Sequence, residues 1–171
     1  NDRVVASIFV NPLQFGPAED LSRYPRPFQR DARLCRSAGV DALYNPSLAA
    51  MYAPGFSTQV EVGGLSELYC GASRPGHFRG VATVVLKLLN QVRPQRLYLG
   101  EKDFQQLTIL RRLLIDLDLG VRVVSCRLMR APDGLALSSR NAFLNPEERA
   151  VAPQLHAALR EAAAAARASG A

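Results

Sequence analysis

The sequence is poor in the residues that build disulfide frameworks, zinc clusters and membrane spans. It has no tryptophan, two histidines and three cysteines, and Cys35, Cys70 and Cys126 lie far apart. An odd number of widely spaced cysteines favours reduced thiols over a disulfide framework or a zinc site. No apolar run approaches the roughly 20 residues that cross a bilayer, and the amino-terminal stretch lacks the features of a secretory signal. We therefore predict a cytoplasmic protein with no membrane partner and no metal held by the protein alone.

Lysine is nearly absent, since Lys87 and Lys102 are the only lysines among 21 basic residues. Against 15 acidic residues the net charge is +6, which is compatible with binding nucleic acid. The arginines are dispersed, however, and no basic run with interleaved aromatic residues occurs. An anionic small molecule explains the positive balance equally well, so we predict no nucleic-acid partner. A nucleic-acid-binding module stays a rival, whose affinity would fall steeply with salt.

What the sequence does contain is an alternation of apolar strands and amphipathic helices. Hydrophobic residues make up 48% of the chain, which is typical of a packed globular fold. The alternation predicts an α/β protein with a parallel sheet, right-handed crossovers and flanking helices. The nearly continuous first run indicates a strand buried on both faces. The predicted strands are 3–10, 40–46, 57–64, 95–100 and 121–130, and the helices are 26–40 ending at Gly39, 80–94, 103–120 ending at Gly120, and one from Asn145 to 168.

Three loops that follow predicted strands or turns carry polar side chains. The carboxyl ends of parallel strands meet at one edge of a sheet, where ligands bind. We therefore expect these loops to lie close together. Their polar residues are Asn11 and Gln14 in the first loop, Lys102, Asp103 and Gln106 in the second, and Ser138, Ser139 and Arg140 in the third.

The middle loop, "GEKDFQQL", has two interpretations. Asp103 stands where a helix N-cap belongs, and Gln106 three residues later would complete a capping box. That explanation leaves Lys102 unexplained, because a cation beside the positive end of a helix is unfavourable. A bound phosphate would make the lysine favourable at this position, since the lysine and the helix amides would both bind the same anion.

The other loops are suggestive only in combination. The third loop offers two hydroxyls and a guanidinium, a set suited to phosphate, although such loops are common. The carboxamides of Asn11 and Gln14 can hydrogen-bond hydroxyls and a carboxylate, yet alone they mark a turn. His77 near Arg74 lies in a Gly/Pro-rich stretch, where a histidine more often has a structural role than a functional one. Taken together, amides for a polyol acid and cations for phosphates indicate activation of a carboxylate by ATP.

Several strings in this order resemble the pantoate–β-alanine ligases, over nearly all of residues 4 to 150. These ligases belong to the adenylate-forming superfamily with a nucleotidyltransferase-like Rossmann fold. The separation between "GEKDFQQL" and "SSRN" makes the match specific. The matching strings are "SIFVNPLQF", "YPR", "RPGHFRGV", "VLKLLNQVRP", "LGEKDFQQL" and "DGLALSSRN".

The resemblance implies a Rossmann-like parallel sheet flanked by helices, incomplete at both ends. Residues 1–146 would be the central and carboxyl-terminal part of the amino-terminal catalytic domain, and 147–171 a helix and linker toward a further domain. The implied activity is ATP-dependent condensation of pantoate with β-alanine through pantoyl adenylate, with Mg²⁺ accompanying ATP and a homodimer as the assembly. Catalysis by this chain alone is then expected to be impaired.

The resemblance also assigns the site residues. Asn11, Gln14 and Gln106 would hold pantoate. Lys102 and the segment 138–140 would act in catalysis. His77 and Arg74 would border the acceptor side. The implied ATP-binding residues are Gly100, Glu101, Lys102, Asp103, Met129, Leu137, Ser138, Ser139 and Arg140.

Another adenylyltransferase of the same superfamily is the nearer rival. It would share a serine- and arginine-containing loop, but "FVNPLQF" together with "GEKDFQQL" would be unexpected in it. Leu137 stands where the resembling loops often have methionine, a volume-conserving exchange of small consequence.

Overall fold

The computed structural model describes residues 3–170 and has the predicted α/β composition with parallel strands. Short 3-10 helices join several of the elements. The strands are β1 (Val5–Ser7), β2 (Ala42–Tyr44), β3 (Arg96–Gly100) and β4 (Arg122–Cys126), and the α-helices are α1 (Phe28–Ser37), α2 (Leu48–Met51), α3 (Cys70–Ser73), α4 (His77–Val92), α5 (Phe104–Asp116), α6 (Pro146–Val151) and α7 (Gln154–Ala168).

The strands form two parallel pairs within residues 3–170, rather than the one continuous sheet that was predicted. β1 pairs with β2, and β3 pairs with β4 over all five residues of each strand. The predicted strand 3–10 is shorter than expected and is not buried on both faces, since Val4 and Val5 are each 43% exposed. β1 has a hydrogen-bonded neighbour on one side only among the described residues, so part of its apolar surface stays uncovered.

The segment 57–64, predicted as a strand, contains none. Its backbone is instead tied to α4, because the N–H of Val60 donates to Oγ1 of Thr83 at 3.0 Å. The helical spacing of 80–94 predicts one polar face with Thr83, Lys87, Asn90 and Gln91, but Thr83 is buried. It is 3% exposed, and its hydroxyl donates to the carbonyl of Arg79.

The hydrophobic core lies where α4 packs against α5. Val81 and Ala82 of α4 are buried together with Ile109, Leu110 and Leu113 of α5. Burial of these apolar side chains is the main stabilising contribution to this part of the fold. The packing holds α4 against α5, and α5 begins directly after Lys102 and Asp103 of the second polar loop.

Three helix ends test the sequence predictions. α1 ends as expected, with Gly39 in the left-handed region at φ +77°. α5 ends earlier than predicted, because Asp118 rather than Gly120 takes the left-handed conformation, at φ +49°. The predicted final helix is divided between α6 and α7 at Pro153, which lacks the N–H that a continuous helix needs.

The start of the last helical region is confirmed, since the side chain of Asn145 caps α6 in a reciprocal capping box with Glu148. The proposed division at residue 146 stays a prediction. Within residues 3–170, no helix is both long enough and apolar enough to cross a membrane.

Candidate functional site

The three predicted loops meet around one polar cavity of about 350 Å³. The first loop borders it just after β1, the second follows β3, and the third lies beyond β4. Parallel strands bring these loops to a common edge. The lining residues are Gln14, Phe15, Tyr24, Arg74, His77, Lys102, Asp103, Gln106, Leu137, Ser138, Ser139 and Arg140.

Asn11 lies behind this cavity rather than in its lining. Its side chain is 2% exposed. Nδ2 donates to the carbonyl of Gly80 at 3.0 Å and to Oε1 of Gln14 at 3.3 Å. Oδ1 accepts from the N–H of Leu13 at 3.3 Å and from the hydroxyl of Tyr52 at 2.8 Å. The amide thus uses both of its donors and both acceptor positions within the protein.

The backbone carbonyl of Gln14 holds two other residues of the cavity lining, Arg74 and His77. It accepts from Nη2 of Arg74 at 3.2 Å and lies 2.8 Å from Nδ1 of His77. Nη1 of Arg74 lies 3.2 Å from Nε2 of His77. Because a guanidinium only donates, Nε2 accepts and Nδ1 carries the proton. Burial, with the adjacent guanidinium, lowers the pKa of His77 and favours this neutral form.

Arg74 also forms a close pair with Glu19, whose carboxylate accepts from both Nε and Nη2. Each side chain is 25% exposed. The hydrogen bond from Arg74 lowers the pKa of Glu19, and burial opposes that shift only in part. The positive charge of Arg74 is therefore balanced before any ligand arrives.

The middle loop contradicts the capping-box interpretation of Asp103 and Gln106. Residues Glu101–Asp103 form a 3-10 turn ahead of α5, and Asp103 makes no side-chain hydrogen bond to the helix amides. Its backbone, at φ −98° and ψ 61°, departs from the extended conformation typical of a capping residue. Its carboxylate instead accepts from Nζ of Lys102 at 3.2 Å. Both charged groups face the cavity with Gln106.

Arg140 is held in the third loop by a carboxylate and two aromatic rings. Its Nε and Nη2 donate to Asp20 at 2.8 and 2.9 Å. The guanidinium lies 5.1 Å from the ring centroid of Tyr24 and 5.9 Å from that of Phe15, within the range of cation–π attraction. The hydroxyl of Tyr24 shares a 3.1 Å hydrogen bond with Ser139.

A larger groove of about 1310 Å³ adjoins the polar cavity. The two share Tyr24, Leu137, Ser138 and Ser139 in their walls. The groove continues past the apolar residues at the end of β1 and the start of α1. A polar cavity that opens into a larger, more apolar groove can receive a phosphorylated ligand with a planar group attached.

Not every predicted site residue lies at the cavity. Gly100, Glu101 and Met129 are absent from the linings of both the cavity and the groove. Met129 is 68% exposed, and its carbonyl accepts from the N–H of Leu137. A Cβ at Gly100 would meet no atom within 4 Å. No group of three or more His, Cys, Asp or Glu residues within 3–170 is arranged to hold a metal ion.

The sequence reasoning missed the carboxylates and rings that hold the cavity's cations. Glu19 and Asp20 pair with Arg74 and Arg140, and Phe15 and Tyr24 stack near Arg140. All four lie in the first loop, shortly after Gln14. The string "YPR" containing Tyr24 was a signal that could have found one of them.

The comparisons with known proteins decide the family. A model of the family described as pantoate-beta-alanine ligase matches residues 1–171. The chain belongs to the pantoate-beta-alanine ligase family. It is 56% identical over 160 residues to the pantothenate synthetase of Thermotoga petrophila, covering 94% of this chain and 57% of that protein. The pantothenate synthetase of Deinococcus radiodurans is 57% identical over 169 residues, with coverages of 96% and 60%.

Solved structures give the same result for the fold. The pantothenate synthetase of Thermus thermophilus superposes with a TM-score of 0.92 at 57% identity, over 93% of this chain and 58% of that one. A Francisella tularensis pantoate-beta-alanine ligase, complexed with beta-gamma ATP and beta-alanine, gives 0.89 at 42% identity, over 94% and 62%. The Rossmann-like nucleotidyltransferase class is thereby confirmed. The chain spans somewhat more than half the length of these relatives.

Proposed function

We propose that the protein joins pantoate to β-alanine at the expense of ATP, through a pantoyl-adenylate intermediate. The observation that carries the proposal is the meeting of the three loops in one cavity, where carboxamides from Gln14 and Gln106 face the cations Lys102 and Arg140. Family membership supports the same reaction, as does the ATP- and beta-alanine-bound state of the Francisella relative.

The cavity offers carboxamides from some residues and cations and hydroxyls from others, which supports separate binding places for the two substrates of the first step. Gln14 and Gln106 offer amides for the hydroxyls and carboxylate of pantoate, with Asn11 behind Gln14. Lys102, Ser138, Ser139 and Arg140 offer cations and hydroxyls for the phosphates of ATP, and Asp103 helps to place the nucleotide. The adjoining groove, with a volume of about 1310 Å³, would take the adenosine part.

The proposed chemistry needs no nucleophile from the protein. A pantoate carboxylate oxygen attacks the α-phosphorus of ATP, and pyrophosphate leaves. The amine of β-alanine then attacks the acyl carbon, loses a proton and displaces AMP, giving pantothenate. Placement of the reactants and stabilisation of charge by Lys102 and Arg140 would supply the acceleration. His77 and Arg74 line the same cavity, and in this proposal they border the side from which the amine arrives.

Magnesium fits this site as an ion held mainly by phosphates and water. Asp103 is the carboxylate residue in the cavity lining, and its partner Lys102 is exposed enough for the pair to open. Mg²⁺ would neutralise phosphate charge during the transfer. A homodimer and a cytoplasmic location belong to the same proposal.

Pantoate-dependent exchange of labelled pyrophosphate into ATP tests the first step. It should be measured on the 171-residue chain and on the complete product of its gene, each shown to be folded by circular dichroism. Exchange that requires pantoate in either form supports the proposal. If neither form exchanges, pantoate is not the substrate, and an adenylyltransferase acting on another acid or on a nucleotide takes its place.

A further inference from the structure

Tyr52 lies behind the cavity and is connected to the lining residue Gln14 through Asn11. The residue ends α2, and its hydroxyl donates to Oδ1 of Asn11 at 2.8 Å across 41 positions of sequence. Asn11 in turn donates to Oε1 of Gln14 at 3.3 Å. Of the three, Gln14 contributes to the cavity lining, whereas Tyr52 and Asn11 lie behind it.

Backbone groups fix the direction of this chain of hydrogen bonds. The carbonyl of Gly80 can only accept, so the atom of Asn11 that faces it must be Nδ2. The N–H of Leu13 can only donate, so the atom that faces it must be Oδ1. The Asn11 amide therefore has one allowed orientation, because its flipped form would set donor against donor and acceptor against acceptor.

That orientation determines what Gln14 can offer a ligand. The second N–H of Asn11 points at Gln14 and requires an acceptor there, which is the carbonyl oxygen Oε1. The Nε2 amide group of Gln14 is left for the cavity, and no partner for it occurs among residues 3–170. On the other side, Oδ1 of Asn11 can take only a donor, so the hydroxyl of Tyr52 must supply its proton.

We propose that Tyr52 is a positioning residue: its hydroxyl holds the Asn11 amide in the orientation that Gly80 and Leu13 set, and Asn11 in turn holds Gln14 with its N–H groups, rather than its carbonyl oxygen, toward the ligand. The ligand atom received there must accept a hydrogen bond. The inference rests on the proposed function for the identity of that atom, which is a hydroxyl or carboxylate oxygen of pantoate.

The surroundings of Tyr52 suit a fixed donor. Its ring lies 4.9 Å from that of Phe56 and 6.1 Å from that of Phe9, measured between centroids. Nζ of Lys87 lies 4.8 Å from the centroid of Phe56 and 5.9 Å from that of Tyr52. Burial raises the pKa of Tyr52 to about 12, so the hydroxyl keeps its proton throughout the neutral range.

The kinetic test uses Tyr52→Phe, which removes the hydroxyl and keeps the ring. We expect the KM for pantoate to rise roughly three- to tenfold, as for the loss of one hydrogen bond, with the KM for ATP unchanged. The matched control is Tyr44→Phe, whose hydroxyl donates to Gln91 at 3.0 Å, away from the cavity. That control should leave both constants within about twofold of wild type.

A double-variant cycle separates positioning from general destabilisation. If Tyr52 acts through Gln14, Tyr52→Phe should change the KM for pantoate by less than about twofold in a Gln14→Ala background. Independent effects that multiply in the double variant would overturn the proposal. So would an unchanged KM in the single variant Tyr52→Phe.

A measurement without pantoate keeps this inference distinct from the proposed function. Side-chain ¹⁵N relaxation of the full 171-residue chain should show an ordered Gln14 amide that becomes mobile in Tyr52→Phe and not in Tyr44→Phe. A Gln14 amide of equal order in both variants refutes the positioning role. If wild type shows no pantoate-dependent exchange while Gln14 loses order as expected, the substrate assignment fails and the positioning role stands.

Discussion

Asp20 and Arg140 lie 120 positions apart in sequence and meet through two parallel hydrogen bonds of 2.8 and 2.9 Å at the edge of the cavity. The two other cations of the cavity also have carboxylate partners, since Arg74 pairs with Glu19 and Lys102 pairs with its neighbour Asp103. These cations therefore have carboxylate partners before a ligand binds. In the proposed function a polyphosphate would compete with those partners, and this competition would select against single weak anions.

The pair of Glu19 with Arg74 should make stability depend on acid pH. The pKa of Glu19 lies below its ordinary value of 4.5, chiefly because of the hydrogen bond from Arg74. A carboxyl group with a lowered folded-state pKa stabilises the fold above the unfolded-state pKa, and this contribution is lost as pH falls through the folded-state pKa. We expect Glu19→Gln to lower the free energy of unfolding by about 1 kcal/mol at pH 7.

Urea unfolding of wild type and Glu19→Gln between pH 7 and pH 3 measures this effect. The difference between them should shrink as pH falls below about 4.5. Glu161→Gln is the matched control, because Glu161 is exposed on α7 and has no ion-pair partner among residues 3–170. An equal difference at pH 7 and pH 3 would contradict the assigned role of the pair.

Lys102 is the cavity residue whose removal should affect adenylation most directly. Its ammonium faces the cavity beside Asp103 and is offered to the phosphates in the proposed function. We expect Lys102→Ala to reduce the rate of pantoate-dependent pyrophosphate exchange by about 100-fold or more, as for the loss of one preorganised donor. The free energy of unfolding should change little, because an exposed ion pair contributes little to stability.

The control for Lys102 is Arg112→Ala. Arg112 pairs with Asp116 at 2.7 Å on the exposed surface of α5, so the variant also loses one cation from an ion pair. Its exchange rate should match that of wild type. An exchange rate for Lys102→Ala within about threefold of wild type would remove Lys102 from the proposed mechanism.

The parts of the fold that sequence could predict are those set by local patterns. The helical spacing of Leu107, Leu110, Leu114 and Leu117 predicts a buried face of α5, and the first three are buried, whereas Leu117 follows the end of the helix and is 44% exposed. Gly39 correctly predicts the end of α1. The segment 57–64 does not form the predicted strand, because the N–H of Val60 hydrogen-bonds to the side chain of Thr83 in α4, which is distant in sequence. Alternating apolar residues are therefore not sufficient evidence for a strand when a packed helix can satisfy the backbone.

In the candidate site, too, sequence patterns predicted which loops meet but not the contacts between residues that are distant in sequence. The carboxyl ends of parallel strands meet at one edge of a sheet, which predicted that the loops of Gln14, Lys102 and Arg140 lie close together. All three residues do line one cavity. Sequence patterns could not show that Asn11 is saturated by Gly80 and Tyr52, since those contacts depend on where α2 and α4 pack. The role of Asn11 as a pantoate ligand, implied by the resemblance, stays a prediction, and its contacts in the structure support positioning of Gln14.

Asp103 offers a test of the rejected capping box. Because its side chain caps no helix amide, Asp103→Ala should change the free energy of unfolding by less than about 0.5 kcal/mol. Asn145 is the positive control, because its side chain accepts from the N–H of Glu148 at 2.8 Å. Asn145→Ala should cost about 1 kcal/mol. Urea denaturation compares the two, and an equal loss for both variants would restore the capping interpretation of Asp103.

Gly80 tests whether α4 must approach the first loop closely. A Cβ at this position would lie 2.2 Å from the carbonyl oxygen of Leu13 and 2.4 Å from its carbon, both backbone atoms. Glycine-to-alanine changes inside helices usually stabilise by roughly 0.5–1 kcal/mol. Here the clash should make the substitution destabilising instead, and we expect Gly80→Ala to lower the free energy of unfolding by about 1–3 kcal/mol.

The same variant should weaken pantoate binding, because the carbonyl of Gly80 holds Asn11 at 3.0 Å and Asn11 holds Gln14. Gly120→Ala is the control, since a Cβ there meets no atom within 4 Å and the residue is not in the left-handed region. Chemical denaturation should place that control within about 0.5 kcal/mol of wild type. If Gly80→Ala proves as stable as wild type with an unchanged KM for pantoate, the close contact between α4 and the first loop is not needed to shape the site.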